Sequence, residues 1–131
     1  MSVIRDETGA QTLLGYVVDL TDGVARSILT IGPQHTNRHG GLHGGIMAAM
    51  LDNAMGYAAA LEFDPKATPT VMTVSMTTSY LAPAREGTVT ATGTVTGGGR
   101  SLLFVDGKLE SDAGVLLATA SGVFKRIKST P

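Results

Sequence analysis

The sequence predicts an α+β domain in which one long central helix is wrapped by a curved, largely antiparallel sheet of five to six strands. A helix-forming segment covers residues 44–61, two strand-like runs precede it, and four follow it with short turns between them. The helical segment is apolar on nearly every side, so it needs a cover, and the strands are the only segments that can provide one.

Length and composition limit the classes of protein that fit. The 131 residues suit a single domain, and we expect a loose tail or short helix over residues 1–12 and the domain itself over residues 13–131. Ten basic and eleven acidic residues give a net charge of -1, which disfavours a nucleic-acid-binding protein. The chain has no cysteine and shows neither a signal-peptide nor a membrane-span pattern, so we expect a cytoplasmic location without membrane partners.

Two strand-like runs open the domain. Residues 13–20 (LLGYVVDL) and 24–31 (VARSILTI) are separated by Thr21, Asp22 and Gly23, a combination typical of a hairpin turn. Pro33 ends the second run.

The central helix is predicted from residues 44–61, a proline-free segment dominated by alanine, methionine and leucine. It contains one carboxylate, Asp52, which needs an explanation because ionised carboxylates are rarely buried without partners. Asp52 is either a structural acid that hydrogen-bonds a neighbouring strand or a catalytic acid. The polar connection at residues 62–69, which has two prolines, then ends the helix.

Four strand-like runs complete the chain. The first alternates Val74, Met76, Thr78 and Tyr80 with Thr73, Ser75, Thr77 and Ser79. The second alternates valine and alanine with threonine and ends in the glycine turn 97–99. The third places Leu103, Val105, Gly107 and Leu109 on one face, and the fourth follows a turn at residues 112–114.

Gly44 and Gly45 stand at the predicted start of the helix, where backbone N–H groups have no partner within the helix and point outward with the positive end of its dipole. Such amides can form an oxyanion hole, although the two glycines could equally serve only a tight turn. Asp52 follows Gly44 by eight residues, a rise of about 12 Å, so one small reacting group cannot touch both. If both serve one reaction, they come from different copies of the chain at a dimer interface.

Other patterns carry weaker functional hypotheses. The spacing of His35, His39 and His43 would suit a metal on a helix, but Pro33 and the surrounding glycines argue against a helix there, and we predict no metal site. The methionines in and near the helix fit either an adaptable pocket or an ordinary core. Arg100 follows the triple glycine and is a candidate phosphate partner, although the glycines alone suffice for a turn.

The residues Asn37, His43, Gly44, Gly45 and Asp52 form a motif that resembles the hotdog-fold thioesterases of the phenylacetate-degradation (PaaI-like) group. The likeness extends from about residue 13 to residue 124 and includes the Tyr-x-x-Pro-Ala corner after the third strand. It implies a homodimer with a continuous sheet, or a homotetramer. It also implies a hydrolase that converts acyl-CoA or aryl-CoA thioesters to free acid and CoA without a cofactor.

The resemblance also implies roles for particular residues. Gly44 would supply the oxyanion-hole amide, His43 and Asn37 would contact or orient the thioester carbonyl, and Asp52 of the partner chain would act as general base or nucleophile. Thr73 stands where some relatives carry a serine that positions water. Substrate-binding residues are expected at Gly45, Met47, Tyr80, Pro83 and Arg100. The alternatives are a non-catalytic hotdog module that binds acyl thioesters and a hotdog acyl-CoA hydratase or dehydratase.

Overall fold

The order of helices and strands follows the sequence pattern closely. The structure, a computed structural model, describes residues 2–128. In this part of the chain the elements are β1 (Val3–Ile4), α1 (Gly9–Leu14), β2 (Val17–Asp19), β3 (Ala25–Thr30), α2 (Gly44–Phe63), β4 (Val71–Tyr80), β5 (Thr88–Gly98), β6 (Leu102–Ser111) and β7 (Leu116–Arg126). No helix within residues 2–128 combines the length and the apolarity needed to cross a membrane.

The described strands form one antiparallel sheet in the order β1-β2-β3-β5-β6-β7-β4. Helix α2 packs on its inner face and contacts β3, β5, β6, β7 and β4. The predicted architecture of a central helix wrapped by an antiparallel sheet is therefore confirmed. The prediction of five to six strands is too low, because the sheet has seven in the described residues and the extra strand, β1, lies in the segment expected to be a tail.

The amino-terminal segment is held in place by a buried glutamine. Gln11 is 2% exposed, its Nε2 donates to the Ile4 carbonyl at 2.8 Å, and its Oε1 accepts from the Glu7 N–H at 3.1 Å. Helix α1 begins after Thr8, whose side chain accepts from the Gln11 N–H, and ends at Gly15, which has a φ of 83°. Leu13 and Leu14, predicted to begin a strand, therefore belong to α1, because the capping residues on either side decide the conformation of these leucines.

Helix α2 begins as predicted and extends two residues further, to Phe63. The His43 side chain caps its first turn, and its last turn is followed by Asp64, whose carboxylate accepts from the Lys66 N–H at 3.0 Å and the Ala67 N–H at 3.2 Å. These backbone hydrogen bonds lower the pKa of Asp64 below its ordinary value, and the bond from Ala67 has the larger effect. The buried residues of α2 are Met47, Met50, Leu51, Ala54, Met55, Ala58, Ala59 and Ala60.

The inner face of the sheet lies very close to the backbone of α2 at Gly93. A Cβ atom on Gly93 would lie 2.6 Å from the Ala54 carbonyl oxygen, so only glycine allows β5 to approach the helix backbone at this point. On β6, the predicted inward face is confirmed, since Leu103, Val105 and Leu109 are at most 5% exposed.

Strand β4 lies at the end of the sheet and pairs only with β7 among the described residues. Thr73 pairs with Phe124 and Ser75 pairs with Val123, so Val74 is an extra residue that forms a β-bulge. The predicted regular alternation of this strand is therefore wrong at its start. The bulge places Thr73 on the inner face with Phe124, whereas Ser75 joins the outer face with Val123.

Candidate active site

The carboxylate of Asp52 lies in a cleft of about 440 Å³ on the inner side of the sheet, here called the Asp52 cleft. The Thr73 Oγ1 donates to Asp52 Oδ1 at 2.5 Å, so the acid is bonded to a residue near the start of strand β4. The cleft is lined by Ile4, Glu7, Thr8, Asp52, Asn53, Gly56, Tyr57, Ala60, Thr68, Pro69, Thr70, Val71, Thr73 and Phe124. Asp52 is thus half-buried and accessible to a small molecule through this cleft.

Two polar residues fix the surroundings of Asp52. Ser27 on β3 is fully buried, and its Oγ donates to Asn53 Oδ1 at 2.7 Å, which sets the rotation of α2 against the sheet. Tyr16 is also buried, and burial raises its pKa above the ordinary tyrosine value. A hydrogen bond with the Thr8 side chain lowers the pKa of Tyr16, and the negative charge of Asp52 raises it. The net change is upward, so this phenol stays protonated.

The start of α2 borders a second cleft, of about 380 Å³, here called the Gly44 cleft. It is lined by Leu42, Gly44, Met47, Tyr80, Leu81, Ala82 and Pro83. The Tyr80 hydroxyl donates to the Gly44 carbonyl at 3.1 Å. A Cβ atom on Gly44 would lie 3.4 Å from the Tyr80 ring, so the absence of a side chain keeps this end of the helix open.

The amides of the two glycines at the helix start are not equivalent. His43 Nδ1 accepts from the Gly45 N–H at 2.9 Å, so that amide is already used. The Gly44 N–H donates to no acceptor in the part of the chain that the structure describes. Because Nδ1 of His43 is an acceptor, its neutral ring carries the proton on Nε2, which leaves Nε2 as a donor.

Asn37 and Arg100, both predicted site residues, lie outside the two clefts. Asn37 Oδ1 accepts from the His39 N–H at 2.9 Å and the Gly41 N–H at 3.2 Å, so its amide shapes the turn that leads to His43. Arg100 is exposed in the turn between β5 and β6 and lines neither cleft.

The three histidines have separate surroundings. His35 is 2% exposed; its Nδ1 accepts from the Gly32 N–H at 2.8 Å, and its Nε2 lies 2.6 Å from the Leu14 carbonyl, to which it donates. His39 is exposed and His43 caps α2. Within residues 2–128, no three histidine, aspartate or glutamate side chains are arranged as metal ligands.

The structure divides six of the predicted site residues between two places, whereas Asn37, His43, Gly45 and Arg100 line neither cleft. Asp52 and Thr73 meet in the Asp52 cleft, whereas Gly44, Met47, Tyr80 and Pro83 meet in the Gly44 cleft. Met47 is also a core residue, at 4% exposed. Sequence reasoning missed Glu7, Tyr57 and the Ser27–Asn53 pair. Tyr57 follows Asp52 by five residues, about 140° around the helix, so this spacing did not indicate a shared cleft, and nothing local to residues 1–12 pointed to Glu7.

The sequence is similar to known thioesterases and esterases. The model of the thioesterase superfamily matches residues 39–118, which include the start of α2, Asp52, Thr73 and Tyr80. A Halobacterium salinarum protein whose name assigns it to the esterases is 34% identical over 84 residues, which is 61% of this chain and 56% of that protein. The chain therefore matches little more than half the length of this relative.

Solved structures share the fold over nearly the whole chain. The BH2602 protein from Bacillus halodurans with CoA is 26% identical, with a TM-score of 0.84 over 97% of this chain and 83% of that one. Thioesterase HI1161 from Haemophilus influenzae is 20% identical, with a TM-score of 0.83 over 93% of this chain and 85% of that one. The PaaI protein of the E. coli phenylacetic acid degradation operon is 24% identical, with a TM-score of 0.81 over 95% of this chain and 88% of that one.

The expected hotdog fold is confirmed by these shared structures. The family match covers more than half of the described chain and contains both clefts' central residues. The chain is therefore a member of the thioesterase superfamily.

Proposed function

We propose that the protein hydrolyses acyl-CoA thioesters to the free acid and CoA in a site shared by two copies of the chain. Its superfamily supports thioester hydrolysis, and the CoA in the Bacillus halodurans structure supports CoA as the carrier of the acyl group. The observation that carries the proposal is the separation of an accessible acid, Asp52, from an unused helix-end amide, Gly44, in two clefts of one chain.

The chemistry fits these two groups. Attack on the thioester carbonyl places negative charge on its oxygen, and one preorganised amide at such a position contributes roughly 2.7 to 4 kcal/mol to transition-state stabilisation. The Gly44 N–H supplies that donor. Asp52 either takes a proton from water, whose oxygen then bonds to the acyl carbon, or attacks that carbon itself to form an anhydride, which water then hydrolyses to the free acid and the regenerated Asp52 carboxylate. The C–S bond breaks, and the CoA sulfur leaves as thiolate and takes up a proton.

Pairing of two copies through strand β4 would bring the Asp52 cleft of one copy next to the Gly44 cleft of the other. Its outer edge has no partner among the described residues, and Met72, Val74 and Tyr80 on it are about half exposed, at 48%, 52% and 53%. Long exposed edge strands of this kind pair readily with another chain. Two β4 strands that pair antiparallel about Thr77, with Val74 as the surplus residue of the bulge, would set Thr73 of one copy opposite Tyr80 of the other on the same face.

This register has a direct consequence for the chemistry. Thr73 is bonded to Asp52, and Tyr80 is bonded to Gly44, so their pairing across the dimer would bring the acid of one copy to the amide of the other. Each dimer would then hold two equivalent sites, because a two-fold interface repeats every contact.

Subunit mixing tests this arrangement. Asp52→Asn removes the acid, and Gly44→Pro removes the N–H and adds a ring at the first helical position, where proline is well tolerated. His43, with φ -63° and ψ 134°, already has a conformation allowed before proline. Gly44→Ala is the matched control because it keeps the N–H.

We expect each of the Asp52→Asn and Gly44→Pro variants alone to lose thiol release from acyl-CoA. When the two are co-refolded, about a quarter of the wild-type turnover should return, because half of the dimers are mixed and each has one intact site. Gly44→Ala should retain most activity. No recovery in a verified mixed dimer would contradict a shared site, and full activity of Asp52→Asn would contradict the role of the acid. Thioester binding without thiol release in the wild type would favour a non-catalytic module.

A further inference from the structure

The residue that follows Asp52 on helix α2 is an asparagine that lines the same cleft. The helix side of the Asp52 cleft is formed by Asp52, Asn53, Gly56, Tyr57 and Ala60. Asp52 is held by Thr73 on β4, at one end of the sheet, whereas Asn53 is held by Ser27 on β3, in the opposite half of the sheet. Both side chains at the head of this cleft are therefore fixed by a hydrogen bond to the sheet.

The bond with Ser27 decides which part of the Asn53 amide is free. Ser27 is fully buried, and its Oγ donates to Asn53 Oδ1 at 2.7 Å. Within residues 2–128, every buried side-chain nitrogen or oxygen of a buried or half-buried residue has a hydrogen-bond partner. Asn53 is half-buried and its Nδ2 has no partner among these residues, so Nδ2 is not buried. The open space that Asn53 lines is the Asp52 cleft, and its two N–H groups are available there.

The Asp52 carboxylate has the complementary free group. Its Oδ1 accepts from Thr73, whereas its Oδ2 accepts no hydrogen bond from the described residues. A free acceptor and a free donor thus come from consecutive residues in one cleft. A single water reaches two such groups, because two hydrogen bonds of about 2.8 Å span up to about 5.6 Å and the Cα atoms of consecutive residues are about 3.8 Å apart.

We propose that Asn53 holds the attacking water against Asp52, so that Asp52 acts as a general base. The inference rests on the proposed thioester hydrolysis and adds a residue to its proton-transfer step. The water donates one hydrogen to Asp52 Oδ2, and one of its lone pairs accepts from Asn53 Nδ2. Its other lone pair forms the bond to the acyl carbon as that hydrogen passes to Asp52. The C–S bond then breaks, and Asp52 returns the proton to the departing thiolate.

Variants that separate the free donor from the bond with Ser27 test this role. Asn53→Asp keeps the acceptor for Ser27 and loses the donor. The double variant Ser27→Ala with Asn53→Leu also loses the donor, but it adds no charge and leaves neither partner unsatisfied. For both we expect kcat on one acyl-CoA to fall about tenfold or more with little change in KM, because the water is not part of the substrate. Ser27→Ala alone is the matched control, since it keeps the amide, and it should lower kcat less than about threefold.

The pH profile of Asn53→Asp gives a readout that a purely structural role would not move. Two carboxylates that face one water disfavour each other's charge, so the acid limb of the kcat profile should move upward by about one pH unit. The double variant should keep the wild-type limb.

Wild-type kcat in both variants that lack the donor would overturn the inference, as would an equal loss of kcat in Ser27→Ala. A higher KM with unchanged kcat would also overturn it, because Asn53 would then bind the substrate and not the water. Each of these results leaves thioester hydrolysis in place. Absence of thiol release by the wild-type protein would instead contradict the proposed function.

Discussion

Thr73 is the residue that connects the acid to the sheet. Its hydroxyl donates to Asp52 at 2.5 Å, and its place on β4 sets where the carboxylate lies in the cleft. A hydrogen bond to a charged group contributes about 1.5 to 3 kcal/mol, more than one between neutral groups. Thr73 therefore acts on the reaction through Asp52 as a positioning residue.

Substitution of Thr73 separates the hydroxyl from the bulk of the side chain. Thr73→Val keeps the shape and removes the donor, so we expect kcat to fall about tenfold or more, with a smaller change in KM. Thr73→Ser keeps the donor and should retain most of kcat. Steady-state kinetics on one acyl-CoA, with unfolding curves for both variants, gives the comparison. Equal kcat values for the valine and serine variants would show that the hydroxyl is not needed.

At this scale the sequence predicted the residues that share a motif but not those brought together by folding. Asp52, Thr73, Gly44 and Tyr80 were identified, and they do lie in the two clefts. Glu7 was missed because it reaches the cleft only through the fold of the amino-terminal segment, which the hydrogen bonds of Gln11 hold in place. Arg100 was predicted to be a phosphate partner because it follows three glycines, but these glycines form only a turn.

The packing of α2 on the sheet is the main contact between elements. Gly93 on β5 faces the helix backbone, whereas a Cβ on Gly107 of β6 would meet the Met55 Sδ at 2.7 Å, the end of a flexible side chain. A methionine side chain can change rotamer, but a helix carbonyl can move only with its helix. The two glycines therefore differ in how much a methyl group would cost.

We expect Gly93→Ala to lower the free energy of unfolding by about 3 kcal/mol and Gly107→Ala by about 1 kcal/mol. Gly99→Ala, where a Cβ would meet nothing within 4 Å, should change it by less than about 0.5 kcal/mol. Urea unfolding followed by circular dichroism measures all three variants. Equal losses for Gly93→Ala and Gly107→Ala would contradict the rigid approach of β5 to the helix.

Periodicity predicted the long elements well because their patterns are local. Helix α2 and the inward faces of β5 and β6 follow directly from residue order. Strand β1 has only two residues, too few for any pattern, and it exists because it pairs with β2. The bulge in β4 also left no local signal, since Thr73, Val74 and Ser75 continue the alternation of the strand.

On the scale of the whole molecule, the free edge at β4 determines how two copies would meet. The outer face near its centre carries Thr77, which pairs with Ser121, and Asp106 pairs with Ser121 on the next strand. A charge at residue 77 would lie close to its own copy across the proposed two-fold axis, whereas Asp106 lies two strands, or about 10 Å, away. Thr94 on β5 pairs with Asp106 on the same outer face, so the same charge at residue 94 would lie away from the β4 edge.

We therefore expect Thr77→Glu to weaken dimerisation about tenfold or more and to reduce thioesterase activity in parallel, because like charges at a two-fold contact repel. Thr94→Glu is the control, with the same change on the same face, and should leave the assembly intact. Sedimentation velocity over a concentration series measures both. An unchanged dimer with Thr77→Glu would place the contact between copies elsewhere on the surface.

The bulge at Val74 has a consequence for how the acid acquired its partner. Counting back from Ser75, Thr77 and Ser79, an unbroken strand would turn Thr73 outward, away from Asp52. One surplus residue reverses this direction. The hydroxyl thus reaches the carboxylate through the pairing that the bulge permits as much as through its chemical type, and a chain shortened by Val74 alone would replace the bulge by a regular ladder in which Thr73 still pairs with Phe124 and still faces Asp52.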